Sequence, residues 1–194
     1  TSNLEITKAI VNAASELRSP VIVQTSVKAI KYAGIKEMAT IVRTIAKDVK
    51  VPVVLHLDHG PDIKSVRDCL KNGWTSVMID GSKYDFKKNV AITKKAVSLA
   101  HKKRVPVEAE LGKLQGIEGW VKVSKKDAIF TDPGEAKLFV RQTRCDSLAI
   151  AIGTSHGAYK FKGKSKLDFK RLKEIKEELN IPIVLHGASS VPKE

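Results

Sequence analysis

The most constraining feature of the chain is a regular alternation between short apolar runs and longer segments with helical periodicity. The alternation occurs six times. Runs that are apolar throughout are typical of strands buried on both faces, and helices between them supply the crossovers that parallel strands require. The predicted strands are Val21–Ser26, Val51–Asp58, Thr75–Asp80, Val105–Leu111, Ser147–Gly153 and Ile181–His186. The pattern therefore predicts an α/β protein built from parallel βαβ units.

The segments between the strands predict the helices, which are Ala33–Val49, Ile63–Asn72, Phe86–His101, Pro133–Thr143 and Asp168–Leu179. Ser2 and Glu5 form a capping-box pattern, so we expect the chain to start at or just before a further helix. A TIM (β/α)8 barrel closes with eight strands. We therefore expect about six of its βα units here, with the first and last strands missing, and a single domain over residues 1–194 that is incomplete at both ends.

Composition limits the class of protein. The 194 residues are 42% hydrophobic, which is enough for a real core. No apolar run has the length of a membrane span, and no secretory signal pattern is visible. Cys69 and Cys145 lie far apart, without the spacing of a metal or redox motif. They are interpreted as reduced structural thiols, which predicts a cytoplasmic protein.

The charge balance is strongly basic, with 35 Lys and Arg against 21 Asp and Glu and a net charge of +14. Such a charge attracts polyanions, so nucleic acid has to be considered. The lysines are spread along the chain, and the sequence contains no recognition-helix signature, zinc finger or aromatic stacking strip. A solvated surface and a phosphorylated small substrate are the preferred interpretation.

Three histidines lie at the ends of predicted strands, and each is followed by glycine. They are His59, His156 and His186. Three imidazole nitrogens with one open position describe a catalytic zinc site, and the carboxyl ends of barrel strands carry the functional groups. The sequence therefore predicts a zinc site, with Asp58 beside the first histidine as a proton donor and acceptor.

Other polar residues on these strands have two interpretations each. His56 shares a face with Asp58 and is interpreted as a core histidine or one that supports the site. Glu108 and Glu110 also share a face, and buried carboxylates need a metal or a charged partner. Glu110 is a candidate alternative zinc ligand or supporting residue. A structural ion pair with a lysine suits Glu108 better.

The insertion Lys113–Thr131 follows the fourth strand and contains Gly116, Glu118 and Gly119. It is interpreted as a mobile loop at the mouth of the site, with an ordinary surface loop as the alternative. Glu118 could move in and out of a site from there, although by itself it is only an exposed acid.

Two stretches are candidate phosphate sites. In GTSHGAYKFKG, Gly157 allows close approach to the backbone and Lys160 offers a positive charge; in HGASS, Gly187, Ala188 and Ser189 offer N–H groups and a hydroxyl. Clusters of backbone amides bind oxyanions, and the last strands of these barrels commonly hold phosphate.

Taken together, LHLDHG, SVMIDGS, VEAELG, AIGTSHGAYKFKG and LDFKRLKEI…IPIVLHGASSVP resemble class II (zinc-dependent) fructose-1,6-bisphosphate aldolases and the related tagatose-bisphosphate aldolases. The resemblance covers essentially all 194 residues, in the family's order and spacing. It implies a catalytic TIM-barrel domain of a carbon–carbon lyase. Such an enzyme cleaves fructose 1,6-bisphosphate reversibly to dihydroxyacetone phosphate and glyceraldehyde 3-phosphate in glycolysis and gluconeogenesis, as a homodimer or homotetramer.

The resemblance also implies roles for single residues. His59, His156 and His186 would bind zinc, with Glu110 as an alternative or second-site ligand. Asp58 would exchange a proton with the hydroxyl on the carbon whose bond is cleaved, and Glu118 would assist proton exchange. The substrate-binding set would be Ser26, Gly157, Lys160, Gly187, Ala188 and Ser189, mostly around the phosphate of dihydroxyacetone phosphate. The carbonyls of Gly116, Ser155 and Gly187 would bind a monovalent cation, Na⁺ or K⁺.

The chain departs from the family pattern in places. Many members have TSEGA where this chain has TSVKA, and HGGSG where it has HGASS. A substrate-facing asparagine on the first strand and an Asn-x-Asp element near the C-terminus have no match. We therefore expect the sequence to be a piece of a longer protein or to be inactive by itself.

Three alternatives are weighed against this interpretation. Preference for tagatose 1,6-bisphosphate stays open. A lysine Schiff base is disfavoured because the interiors of the six predicted strands contain no lysine. The third alternative, a basic binding module that kept the fold and lost catalysis, is disfavoured by the presence of Asp58 and all three histidines.

Overall fold

The structure, a computed structural model, describes residues 1–112, 115–118, 121–123, 130–156, 167–187 and 191; for 115–118, 121–123 and 155–156 it describes the backbone alone. The chain divides into two compact units. The first consists of Thr1–Asp80 and Lys95–Val107, and the second of Gly81–Lys94 and Glu108–Glu194. The expectation of a single domain stays a prediction.

The first unit is a parallel sheet whose strands are joined by helices. Its elements are α1 (Leu4–Glu16), β1 (Val21–Ser26), α2 (Val27–Ala33), α3 (Ile35–Lys47), β2 (Val53–Gly60), α4 (Ile63–Lys71) and β3 (Ser76–Ile79). Helix α5 (Phe86–His101) and strand β4 (Val107–Leu111) have residues in both units. Strand β1 pairs with β2 in parallel from Val21↔Val53 to Ser26↔Asp58, and β2 pairs in parallel with β3.

The core of this unit lies between the sheet and the helices. Trp74, Met38 and Leu57 are fully buried there, and each side chain of this size contributes about 1.5–3 kcal/mol through burial. The Trp74 indole N–H donates to the Thr25 hydroxyl at 3.0 Å, so its polar atom is satisfied.

The second unit has the same alternation. Its elements are β5 (Gln115–Glu118), β6 (Val121–Val123), α6 (Pro133–Thr143), β7 (Ser147–Ile150), β8 (Ser155–His156), α7 (Phe169–Glu178) and β9 (Ile183–Val184). Strands β4, β7 and β9 pair in parallel in that order, and a separate sheet has the order β6-β5-β8. All six predicted strands are present as β1, β2, β3, β4, β7 and β9, so the predicted α/β fold with TIM-barrel architecture is confirmed.

Three strands begin two residues later than predicted. The predicted starts are residues 51, 105 and 181, and the observed starts are Val53, Val107 and Ile183. A proline directly precedes each observed start, and proline has no N–H with which to enter a ladder. Its carbonyl still accepts. The N–H groups of Val21, Val77 and Leu148 donate to Pro52, Pro106 and Pro182 at 3.0, 3.2 and 3.1 Å.

The helix predicted over Ala33–Val49 is wrong at its start. Gly34 has a φ of +88° and separates α2 from α3, and its N–H donates to the Ile30 carbonyl at 2.9 Å to end α2. A left-handed φ is cheap only for glycine. Helix α3 lies within the predicted range, whereas α2 was not predicted from the sequence.

The helix expected at the chain start is present, but its cap differs from the predicted one. The Asn3 side chain accepts from the Ile6 N–H at 2.9 Å, so Asn3 is the N-cap of α1 in place of the Ser2–Glu5 box.

The insertion Lys113–Thr131 contains regular structure that the sequence analysis did not predict. Strands β5 and β6 form an antiparallel pair with Ile117 opposite Lys122. The pair could not be predicted, because two short strands without strong apolar alternation give little sequence signal. The mobility of the insertion stays a prediction. Among the described helices, none combines the length and the apolar character needed to cross a membrane.

Candidate active site

A β-bulge at the carboxyl end of β2 presents Asp58 and His59. The ladder with β3 aligns Leu57 with Val77 and Gly60 with Ile79, so β2 has one extra residue over this span. Consecutive side chains of a regular strand point to opposite faces. Here Asp58 Oδ1 lies 4.0 Å from His59 Nε2. The bulge therefore brings together two side chains that a regular strand would separate.

The backbone conformation at the bulge is unusual. His59 has a φ of +44°, in the left-handed region that costs a non-glycine residue about 1–3 kcal/mol and that clusters at functional sites. The next residue has to be glycine, because a Cβ on Gly60 would collide with the Met78 carbonyl oxygen and lie 2.9 Å from Leu57 Cδ2.

Asp80 holds the imidazole of His59. It follows β3 directly, its N–H donates to the Gly60 carbonyl at 2.9 Å, and its Oδ2 lies 3.1 Å from His59 Nδ1. A carboxylate can only accept, so Nδ1 carries the hydrogen and the ring lone pair lies on Nε2. Nε2 is then the nitrogen suited to a metal.

Asp80 is a site residue that the sequence analysis missed. It was included only in the motif SVMIDGS, and the available signal was an acid placed directly after a buried strand and before a glycine.

His56 lies deeper on β2 and is 3% exposed. Its Nδ1 is 2.7 Å from the Ser76 hydroxyl on the neighbouring strand. This position suits the interpretation of His56 as a core histidine or one that supports the site.

Ser26, expected to contact substrate, ends β1 at the same sheet edge. It is the Cα partner of Asp58 in the ladder between β1 and β2. Its hydroxyl accepts from the Ala29 N–H at 3.2 Å and caps α2. Parallel register therefore places Ser26 beside the proposed proton carrier.

In the second unit, His186 has a buried carboxylate partner. His186 Nε2 lies 2.8 Å from Glu108 Oε1, and the two side chains are 9% and 8% exposed. The sequence suggested a lysine partner for Glu108, whereas the structure pairs it with a predicted zinc ligand 78 residues away. The carboxylate accepts from Nε2, so the lone pair of His186 lies on Nδ1.

Glu110 is 3% exposed near the end of β4. Its carbonyl accepts from the side-chain amide of Asn89, a buried residue of α5, at 2.8 Å. This bond fixes the backbone that carries the carboxylate.

The backbone of His156 lies beside the strand that carries Glu118. Strand β8 pairs in parallel with β5, with Gln115 opposite Ser155 and Gly116 opposite His156. Glu118 is the last residue of β5. Glu118, the proposed loop acid, therefore lies two residues along β5 from Gly116, which is the backbone partner of the predicted zinc ligand His156.

Four predicted substrate-binding residues lie outside the described residues, namely Gly157, Lys160, Ala188 and Ser189. Gly187 is described and has a φ of +70°.

The chemistry of the donor set fits a divalent metal. Asp58, His59 and Asp80 in the first unit, and Glu110 and His186 in the second, have side chains that could hold one. Imidazole nitrogens and carboxylate oxygens are the ligands of catalytic zinc. The convergence of His59, His156 and His186 on one ion stays a prediction.

Comparison with known proteins identifies the family of this chain. The family model described as class II fructose-bisphosphate aldolase matches residues 1–194. A fructose-bisphosphate aldolase of Helicobacter pylori (strain ATCC 700392 / 26695) is 51% identical over 191 residues, which are 98% of this chain and 62% of the relative. One of Thermus caldophilus is 51% identical over 194 residues, which are 100% of this chain and 63% of the relative.

Solved structures show the same fold. The YdjI aldolase from Escherichia coli K12 is 33% identical with a TM-score of 0.85, over 99% of this chain and 66% of that one. A putative fructose-1,6-bisphosphate aldolase from Coccidioides immitis is 32% identical with a TM-score of 0.87, over 97% and 66%. This chain thus spans less than two thirds of these relatives' length, and throughout that span it belongs to the class II fructose-bisphosphate aldolase family.

Proposed function

We propose that the protein is a zinc-dependent aldolase that reversibly cleaves fructose 1,6-bisphosphate to dihydroxyacetone phosphate and glyceraldehyde 3-phosphate. The observation that carries the proposal is the bulge of β2, which holds Asp58 4.0 Å from an imidazole whose other nitrogen is bonded to Asp80. Family membership over residues 1–194 supports the choice of reaction.

His59, His156 and His186 are the proposed zinc ligands, with Glu110 as an alternative or second-site ligand. Asp80 and Glu108 each orient one of these imidazoles by accepting its N–H. When bound, zinc supplies the positive charge that polarises the substrate carbonyl and stabilises the negative charge left by cleavage.

Asp58 and Glu118 move the protons. In cleavage, Asp58 accepts the proton of the substrate hydroxyl as the carbon–carbon bond breaks and the aldehyde forms. The electron pair of that bond stays on the dihydroxyacetone phosphate carbon, which then receives a proton with the assistance of Glu118. The side chain of Asp58 is 20% exposed, so it can reach a substrate at the end of β2.

The phosphate of dihydroxyacetone phosphate is held by Gly157, Lys160, Gly187, Ala188 and Ser189, with Ser26 as a further contact. The left-handed φ of Gly187 lets the backbone approach a ligand closely. The carbonyls of Gly116, Ser155 and Gly187 hold Na⁺ or K⁺, which is supported by the adjacency of the strands that carry the first two.

The remaining proposals concern the cellular context. We expect a homodimer or homotetramer in the cytoplasm, acting on a phosphorylated sugar and not on nucleic acid. Cys69 and Cys145 are free and buried, which suits a reducing compartment.

The proposal is tested by measuring cleavage of fructose 1,6-bisphosphate in the full-length protein, with zinc content determined in parallel. Asp58→Asn should lower kcat by about 10²–10⁴-fold with zinc retained, because proton transfer is lost. His59→Ala should lose zinc and activity together. Asp48→Asn, at an exposed helix end, is the matched control and should behave as wild type.

Full activity in either site variant would contradict the proposed function. Parallel kinetics with tagatose 1,6-bisphosphate define the preferred sugar.

A further inference from the structure

Four residues of the second unit connect the ends of two segments that carry proposed functional residues. We name Phe130, Thr131, Asp168 and Arg171 the anchor cluster. Segment 113–129 carries Glu118 and runs into Phe130. Segment 157–166 carries Gly157 and Lys160 and ends just before Asp168.

Thr131 attaches the end of the first segment to the sheet. It is 1% exposed. Its hydroxyl donates to the Leu111 carbonyl at 2.5 Å and accepts from the Ala151 N–H at 2.8 Å. Its own N–H donates to the Ala151 carbonyl at 3.0 Å. Because Leu111 ends β4 and Ala151 follows β7, the chain at Thr131 is fixed to the carboxyl ends of two strands.

Asp168 attaches the second segment to the same edge. Its N–H donates to the Ile152 carbonyl at 2.9 Å, four residues before His156. Its Oδ1 accepts from the Arg171 N–H at 2.9 Å and caps α7. Asp168, which follows the second segment, is therefore fixed to Ile152, two residues after β7 ends.

Arg171 donates hydrogen bonds to both attachment points, Thr131 and Asp168. Its Nη1 donates to the Thr131 carbonyl at 2.9 Å and its Nε donates to Asp168 Oδ2 at 3.1 Å. Its guanidinium carbon lies 5.5 Å from the centre of the Phe130 ring. A planar guanidinium can bond in two directions and stack at once, which an ammonium cannot do.

Away from the cluster, the first segment pairs with the strand that precedes the second segment. Gly116 of the first segment is the backbone partner of His156, which directly precedes the second. A shift at the anchored ends would therefore change the position of Glu118 relative to the strand that bears His156.

We propose that Arg171 is a positioning residue that sets the two segments relative to each other, so that it governs proton exchange through Glu118 and phosphate binding through Lys160 together. The inference rests on the proposed function for those roles. A purely structural role for Arg171 would lower thermal stability and leave the kinetics of the folded protein unchanged.

The test compares Arg171→Gln and Arg171→Lys with Lys170→Gln in the full-length protein. Lys170 is the neighbouring residue of α7, and its side chain is 88% exposed. Three quantities are measured below the unfolding temperature: KM for fructose 1,6-bisphosphate, the rate at which dihydroxyacetone phosphate exchanges a carbon-bound hydrogen with D2O, and zinc content.

Arg171→Gln should slow the hydrogen exchange of dihydroxyacetone phosphate by about tenfold or more and raise KM about fivefold, since small misplacements of reacting groups are costly. Zinc content should not change. The kinetic effects of Arg171→Lys should be intermediate, because lysine keeps the positive charge but lacks the planar guanidinium that donates in two directions. It also serves as the test variant if Arg171→Gln does not fold. Wild-type kinetics in both variants would overturn the inference.

Amide hydrogen exchange gives a readout that does not depend on activity. Arg171→Gln and Arg171→Lys should accelerate amide exchange in both segments, 113–129 and 157–166, relative to Lys170→Gln. Acceleration in only one segment, or in neither, would overturn the inference. If the wild type shows no zinc-dependent cleavage, the proposed function fails, and amide exchange still decides whether Arg171 couples the segments.

Discussion

Replacing Glu108 by glutamine isolates the contribution of one buried charge to metal binding. Glu108 Oε1 lies 2.8 Å from His186 Nε2, and both side chains are less than 10% exposed, at 8% and 9%. A glutamine at this position would keep the shape of the side chain and an oxygen that accepts from the imidazole. Glu108→Gln therefore removes the negative charge while the fold of β4 should persist.

The size of the effect follows from the type of hydrogen bond. A bond to a charged group contributes about 1.5–3 kcal/mol and one between neutral groups about 0.5–1.5 kcal/mol. The change therefore costs about 1–1.5 kcal/mol, with little screening because the pair is buried. About 1.4 kcal/mol corresponds to a tenfold change in an equilibrium constant. We expect zinc affinity to fall about tenfold, at the lower end of the effect of losing a carboxylate behind a metal ligand.

The measurement is competition for zinc against a chromophoric chelator. Glu178→Gln is the matched control, since Glu178 pairs with Lys137 at 2.6 Å on the surface and is 41% exposed. Exposed pairs contribute only about 0–1 kcal/mol, and this one joins α6 to α7 at the surface. An unchanged zinc Kd in folded Glu108→Gln, or an equal loss in Glu178→Gln, would refute the reasoning.

Two further predictions concern the bulge and the thiols. Gly60→Ala should lower the free energy of unfolding by about 2–3 kcal/mol, because the Met78 carbonyl cannot rotate away from the new methyl group; in a protein of this size, thermal unfolding should show a Tm lower by about 4–12 °C. Burial raises the pKa of Cys69 to about 12 and that of Cys145 to about 11, so both thiols should resist iodoacetamide in the folded protein at about pH 8 and react after denaturation.

Each has a control. Gly134→Ala places a methyl group 3.2 Å from Asp132 Oδ1, a side-chain atom that has to give by only a few tenths of an ångström, so the Tm of this variant should change little. A decrease in Tm for Gly60→Ala that is no larger than the one for Gly134→Ala would contradict the predicted clash with the Met78 carbonyl. Rapid labelling of either native cysteine would contradict the burial that raises the pKa.

The strands could be predicted because a strand that is buried on both faces is apolar along its whole length, and such runs are visible in the local sequence. Their first residues could be predicted less well, since the prolines at 52, 106 and 182 contribute an acceptor and no donor. The helix expected over Ala33–Val49 is present as α3 but begins two residues later than predicted, because apolar periodicity does not register the left-handed break at Gly34.

The functional residues show the same division. The types and order of the candidate ligands are local properties, so the sequence alone determined that Asp58 and His59 are adjacent and that each proposed histidine lies at the end of a predicted strand. It could not determine that their side chains approach each other, because that requires the bulge, and a bulge exists only in the register between two strands.

Partners distant in the sequence were decided by the tertiary structure. His186 meets Glu108 across 78 residues, and Arg171 meets the carbonyl of Thr131 across 40. Local patterns contain no information about which strand ends face each other. The physical reason is that a hydrogen bond depends on distances of about 3 Å, which only the packed chain specifies.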